Sequence, residues 1–129
     1  MRNNWNSKLA AVALGVAALT ASSALAHGSM KPRHGGQVAM SGETLVEMVR
    51  GPKGVSVFVR YDDDPVPASG LTGKLIVTQG AKKSNAPLVA GPGNRLDAPG
   101  VKIASGAKVA VMLVTKSTQS RSVVQFTAK

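Results

Sequence analysis

Hydrophobic and polar positions alternate with a period of two over short runs of this chain. Residues 44–49 divide between two faces, Val46 and Met48 on one and Leu45, Glu47 and Val49 on the other. Residues 55–61 divide in the same way, Val55, Val57, Val59 and Tyr61 on one face and Ser56, Phe58 and Arg60 on the other. Such alternation is typical of strands that bury one face. The pattern therefore predicts a β-strand over each run.

Further strands are predicted over 72–79, 86–90, 101–104, 108–115 and 121–127. Strong turn signals separate the runs: Gly51-Pro52, Pro65-Val66-Pro67, Gly91-Pro92-Gly93, Pro99-Gly100 and Gly106. No window beyond the first 26 residues combines a helical period with capping signals. About seven short strands favour an all-β fold, a single antiparallel β-sandwich of immunoglobulin-like shape, with a small β-barrel as the alternative.

The first 26 residues have the form of a secretory signal peptide. Arg2 and Lys8 precede an apolar run over 9–19, and Ala24-Leu25-Ala26 supplies the small-x-small cleavage signal. The run is short for a membrane span, and no lipobox cysteine is present. The expected organisation is a signal peptide over 1–26, a flexible glycine-rich arm over 27–36 and a β-sandwich domain over 37–129. The expected location is the periplasm, with no membrane span.

Composition narrows the possible chemistry. The chain has no cysteine, which excludes disulfides, thiolate metal sites and cysteine nucleophiles. Residues 27–129 carry 14 Lys and Arg against 6 Asp and Glu, a net charge of +8. Their basic residues are spread along the chain, and only Phe58, Tyr61 and Phe126 are aromatic, so nucleic acid is not an expected partner.

Cleavage after Ala26 makes His27 the first residue, and an N-terminal histidine offers both an amine and an imidazole to one metal ion. His34 follows seven residues later and is the only other histidine. Imidazole nitrogen suits Cu(II), Zn and Ni, whereas thioether sulfur selects Cu(I). The candidate metal ligands are therefore His27 and His34, with Met30 and Met40 as soft ligands, and copper, as Cu(II) or Cu(I), is the expected ion.

The same residues also have simpler interpretations that involve no metal. The histidines and Met30 also fit a solvated arm with no ligand, and Met40 and Met48 fit core-facing strand positions. Asp62-Asp63-Asp64 offers oxygen ligands to a cation such as Ca²⁺, but its position before Pro65 favours a solvated hairpin turn. The chain lacks a phosphate loop, a nucleophile elbow and a dinucleotide motif, so no enzymatic activity is expected and no catalytic residue is assigned.

A series of short motifs supports an exported metal-handling protein. They are Arg33-His34-Gly35-Gly36-Gln37-Val38, the run over 44–49, the run over 57–63, Pro65-Val66-Pro67 and Gly93-Asn94-Arg95-Leu96. The series resembles small periplasmic β-sandwich proteins, and N-terminal domains of membrane-fusion subunits, associated with heavy-metal efflux. Those proteins carry Gly-Lys before the hairpin proline, which Asp63-Asp64 replaces here. The resemblance implies a β-sandwich with a role in metal stress, copper first, and a ligand role for His34.

The sequence thus predicts a periplasmic metal-binding protein that acts as a carrier or resistance factor through its N-terminal His/Met segment. The expected partners are a metal ion and a metal-efflux or oxidase-assembly protein. The alternative is a non-catalytic interaction module of the cell envelope that binds a protein or an anionic surface through its net charge.

Overall fold

The structure is a computed structural model that describes residues 29–129. The predicted signal peptide and His27 lie outside the described residues. The described part contains nine β-strands: β1 (Gln37–Ser41), β2 (Thr44–Gly51), β3 (Gly54–Tyr61), β4 (Asp64–Pro65), β5 (Leu71–Gln79), β6 (Lys82–Ala90), β7 (Arg95–Pro99), β8 (Lys108–Thr115) and β9 (Arg121–Thr127). One 3₁₀ turn, Ala68–Gly70, lies between β4 and β5.

Every strand pair is antiparallel, in the order β1-β2-β3-β7-β6-β5-β8-β9, with β4 paired to β3. Strand β6 connects two half-sheets, because residues 82–88 pair with β5 while Val89 and Ala90 pair with β7. The first half-sheet comprises β1, β2, β3, β4 and β7, and the second comprises β5, β6, β8 and β9. The sheet is nearly closed like a small barrel, which agrees with the predicted all-β class.

One hydrophobic core fills the space between the half-sheets. The first half-sheet contributes Val46, Val57 and Leu96, which are fully buried. The second contributes Leu75 and Val111 in the same way. The alternation predicted for 44–49 and 55–59 is confirmed, since Val46, Met48, Val55, Val57 and Val59 all belong to this core.

The ends of the strand order meet at a seam between β1 and β9. The Gln37 side chain donates to the Thr127 carbonyl over 3.0 Å and accepts from the Lys129 backbone N–H over 3.0 Å. Arg50, on β2, also donates to the carbonyl oxygens of Ile103 and Lys129. Side chains rather than a backbone ladder therefore join these two strands.

The structure differs from the predicted strands in several places, and β6 begins at Lys82 rather than at residue 86. Residues 101–104 form no strand, although Ile103 is buried in the core, so that prediction is wrong. Strands β1 and β7 were not predicted, because each has five residues and offers only a short alternating pattern. Within residues 29–129 no helix has both the length and the apolarity needed to cross a membrane.

Candidate functional site

Residues 31–36, here called the strap, lie against the outer face of β2 and β3, opposite the core. Register places Glu47 beside Phe58 and Leu45 beside Arg60 on this face. Glu47 and Arg60 are buried there, with 1% and 3% of their surface exposed. The strap covers a face that an antiparallel sheet commonly leaves to solvent.

Glu47 anchors the strap through its carboxylate. Oε1 accepts from the backbone N–H groups of Arg33, at 2.7 Å, and His34, at 3.1 Å. Oε2 accepts from the N–H groups of His34, at 2.7 Å, and Gly36, at 3.3 Å. Three backbone donors thus converge on one buried carboxylate, which satisfies its charge without a cation.

These donors determine the ionisation of Glu47. Burial raises the pKa of a carboxyl group, but the hydrogen bonds from Arg33, His34 and Gly36 outweigh it and hold the pKa of Glu47 below its ordinary value of 4.5. The group is therefore a carboxylate at neutral pH, and it acts only as an acceptor.

His34 is positioned by two contacts that leave one of its nitrogens available. Its ring stacks on Phe58 with 3.6 Å between centroids and 7° between planes. Nδ1 lies 3.2 Å from Glu47 Oε1, and because the carboxylate only accepts, Nδ1 carries the proton. The Nε2 lone pair is then free of the Glu47 contact, on a side chain that is 41% exposed. A carboxylate on one ring nitrogen is the usual support of a histidine that binds metal through the other.

Gly35 and Gly36 follow His34, and each position favours glycine for a different structural reason. Gly35 has a φ of +73°, a left-handed conformation that costs a residue with a Cβ about 1 kcal/mol. A Cβ on Gly36 would lie 2.3 Å from the Met48 carbonyl oxygen. The strap therefore lies so close to β2 that only glycine fits at position 36. The path by which the strap reaches Glu47 therefore favours glycine at position 35 and requires it at position 36.

A second anchor holds the beginning of the strap. Asp63 Oδ1 accepts from Arg33 over 3.0 Å and from Arg60 over 3.1 Å. Arg60 also donates to the Lys31 carbonyl over 3.1 Å. Asp62 and Asp63, with φ of 47° and 70°, form the turn between β3 and β4, as predicted for the acidic run. The turn thus also bears the carboxylate that neutralises buried Arg60.

The other candidate ligands are placed differently. Met30 precedes the strap and is 49% exposed, and it lines a shallow groove together with Gly35 and Gly36. Met40 is half-buried on β1, and its pairing with Leu45 places it on the same outer face as Glu47, so the core-facing position considered for Met40 is wrong. Met48 is buried in the core, as predicted. Among residues 29–129, no three His, Asp or Glu side chains converge to hold a metal ion.

Sequence reasoning did not identify Glu47, Phe58 or Arg60 as parts of this site. Residues 33–36 belong to the arm predicted to be flexible, yet Glu47 holds their backbone. The signal was a carboxylate within the apolar run Leu45–Met48, since a charge in a strand with two buried faces requires nearby donors. Comparison with protein-family models, characterised proteins and solved structures found no match to this chain.

Proposed function

We propose that this is an exported metal-binding protein that carries copper in the periplasm through its N-terminal segment. In this proposal His27 holds the ion by its terminal amine and imidazole, and His34 contributes Nε2. The observation that carries the proposal is the pairing of His34 Nδ1 with buried Glu47, 3.2 Å away. It fixes the imidazole tautomer and directs the basic nitrogen away from the carboxylate.

Position and exposure support the same assignment. His34 follows the proposed N-terminus by seven residues, and the chain between them passes through exposed Ser29 and Met30. Stacking on Phe58 restricts the ring, so a metal ion meets a ligand whose orientation is already fixed. Nitrogen ligands from an amine and two imidazoles suit Cu(II), whose preferred arrangement is tetragonal.

The methionines extend the proposal to Cu(I). Met30 is exposed and lies four residues before His34 in the chain, so its thioether is available to solvent as a soft ligand in this proposal. Met40 shares the outer face with Glu47 and is the more distant soft ligand in this proposal. A site with both nitrogen and sulfur ligands suits a carrier that delivers copper to an efflux or oxidase-assembly protein.

The test is a titration of the exported, processed protein with Cu(II) against a competing chelator. Native mass spectrometry first establishes whether the chain begins at His27 and binds one copper. We expect an alanine inserted before His27 to weaken Cu(II) binding by more than 100-fold, because it removes the terminal chelate. We expect His34→Gln to weaken binding about 10- to 100-fold through loss of one ligand.

Asn85→Ala is the control, since it removes an exposed side chain on the second half-sheet and leaves both imidazoles and their contacts in place. We expect its affinity to stay within a few-fold of the wild type, with unchanged circular dichroism for all variants. Wild-type affinity in both the insertion variant and His34→Gln would overturn the proposal.

A further inference from the structure

The fold separates the charges of the chain between its two half-sheets. All six carboxylates, Glu43, Glu47, Asp62, Asp63, Asp64 and Asp97, lie in the first half-sheet and its turns, where residues 29–70 and 91–100 also carry six Lys and Arg. Residues 71–90 and 101–129 carry eight Lys and Arg and no Asp or Glu. The whole net charge of +8 therefore belongs to the part of the chain that contains the second half-sheet.

Register places four of these cations on one surface. Lys83 and Lys108 both pair with Thr78, from opposite sides, so the two lysines lie about 10 Å apart on the outer face of three adjacent strands. Lys74 and Arg121 lie on the same face, because their positions alternate with those of core residues. We call this surface the cationic face; Lys74, Lys83, Lys108 and Arg121 are all exposed.

Apolar side chains lie between these cations. Met112 pairs with Lys74 on one side and with Val123 on the other, and Ile76 lies in the next row. Val123 is 40% exposed, while Ile76 and Met112 are half-buried. A shallow hollow between Lys83 and Lys108 is lined by Ile76, Thr78 and Gln125. The face therefore combines positive charge with accessible hydrocarbon.

No ion pair neutralises the cationic face among residues 29–129. The three Arg–Asp ion pairs of that part of the chain, and the His34–Glu47 contact, all lie in the first half-sheet and the strap. The ammonium groups of Lys74, Lys83 and Lys108 are thus available to anions from outside the molecule.

We propose that the cationic face docks on an anionic phospholipid membrane surface. Lipid phosphates neutralise the four cations, while Ile76, Met112 and Val123 contact the boundary between head groups and acyl chains. The hollow between Lys83 and Lys108 receives one phosphate, with the Thr78 hydroxyl as a further donor. The sequence left an anionic surface as an alternative partner, and the fold specifies which face meets it.

The shape of the face favours a membrane over an acidic protein. It is the outer surface of an antiparallel sheet with only a shallow hollow, whereas a protein partner commonly fills pockets with aromatic or arginine anchors. Three of its four cations are lysines, which act as point charges without the fork geometry that pairs with individual carboxylates. A continuous anionic surface attracts lysine point charges without a matched geometry between individual groups.

The experiment measures vesicle binding by the processed protein, whose N-terminus is the same in all variants. Vesicles are either phosphatidylcholine alone or phosphatidylcholine with phosphatidylglycerol. We expect binding to the anionic vesicles only, with loss of binding as salt rises from about 0.05 to 0.5 M. Each cation near an anionic surface contributes roughly fivefold in affinity, so Lys83→Glu with Lys108→Glu is expected to weaken binding by 100-fold or more.

The matched control is Lys31→Glu with Lys53→Glu, which changes the net charge equally at exposed positions outside the face. We expect this control to retain most of the binding, and Lys83→Gln with Lys108→Gln to give an intermediate loss without charge reversal. Equal weakening in the control pair would overturn the assignment to this face. Absence of vesicle binding, together with salt-sensitive binding to polyglutamate, would overturn the proposed membrane docking and favour an acidic protein as the partner.

Discussion

Glu47 shows how a single buried side chain organises the outer face of the first half-sheet. Moving a carboxylate out of water is unfavourable unless donors replace the water molecules that it loses. Here the backbone N–H groups of Arg33, His34 and Gly36 replace them. The same carboxylate orients His34, so folding of the strap and preparation of the proposed metal ligand depend on one residue.

Glu47→Gln tests this dependence at the level of stability. The amide keeps the size of the side chain but loses the charge and places an N–H₂ group among donors, so we expect the free energy of unfolding at neutral pH to fall by about 2–4 kcal/mol. Because the pKa of Glu47 is lower in the folded protein, its contribution is complete above its ordinary value of 4.5 and is lost as pH falls through the folded value. The difference between the wild type and Glu47→Gln should therefore shrink in acid.

Urea unfolding at a series of pH values measures that difference. Glu43→Gln is the matched control, since Glu43 is exposed in the turn between β1 and β2, and we expect it to change stability by less than about 0.5 kcal/mol. A difference for Glu47→Gln that stays constant from pH 7 to below the folded pKa would contradict the assigned role.

At the scale of an element, the turn between β3 and β4 has two functions. Both central residues have positive φ, as a two-residue hairpin turn of type I′ requires. Turn preference alone favours glycine at the second central position, which is Asp63. The structure explains the carboxylate there, because Asp63 pairs with buried Arg60 and with Arg33 of the strap.

Replacing each turn residue by glycine separates these functions. Asp62→Gly relieves positive φ without breaking an ion pair, so we expect stability within about 0.5 kcal/mol of the wild type. Asp63→Gly relieves the strain of a positive φ in the same way, but it leaves Arg60 buried without its carboxylate partner. We expect this variant to lose about 1–3 kcal/mol of unfolding free energy. Thermal unfolding of the two variants compares them directly. Equal stability would show that the turn alone matters.

Elements differ in how well the sequence predicts them. Strands β2 and β3 were predictable because each has eight residues with a period-two pattern, in which Val46 and Met48 share one face of β2 and Val55, Val57 and Val59 share one face of β3. The period-two pattern gave no sign that 101–104 stays outside the sheet. This segment follows a turn at Gly100, whose φ is +75°, and it pairs with no strand. His34 was identifiable as a candidate ligand from its residue type. Its contacts with Glu47 and Phe58 were not, because they depend on the strap crossing two strands.

At the scale of the whole molecule, the seam between β1 and β9 joins the two ends of the strand order. Closing the sheet removes two exposed edges, which otherwise invite pairing with other chains. Here the Gln37 side chain makes the connection through Thr127 and Lys129.

Gln37→Ala should open this seam while leaving both half-sheets folded. We expect a loss of about 1–2 kcal/mol from two hydrogen bonds and faster hydrogen exchange at the Lys129 amide, whose acceptor is removed. Gln79→Ala, at an exposed position beside the β5–β6 turn, is the control. Unchanged exchange at Lys129 in Gln37→Ala would show that backbone packing alone closes the sheet.

The separation of charge between the half-sheets gives the molecule a large electric dipole. An anionic plane exerts a torque on such a dipole from about one Debye length away, before any side chain touches the surface. In the proposed docking, the protein would therefore arrive with the side that lacks Asp and Glu turned toward the plane. In that orientation the His34 ring, on the outer face of the other half-sheet, would face away from the plane, and the proposed metal exchange with a soluble partner would not be blocked.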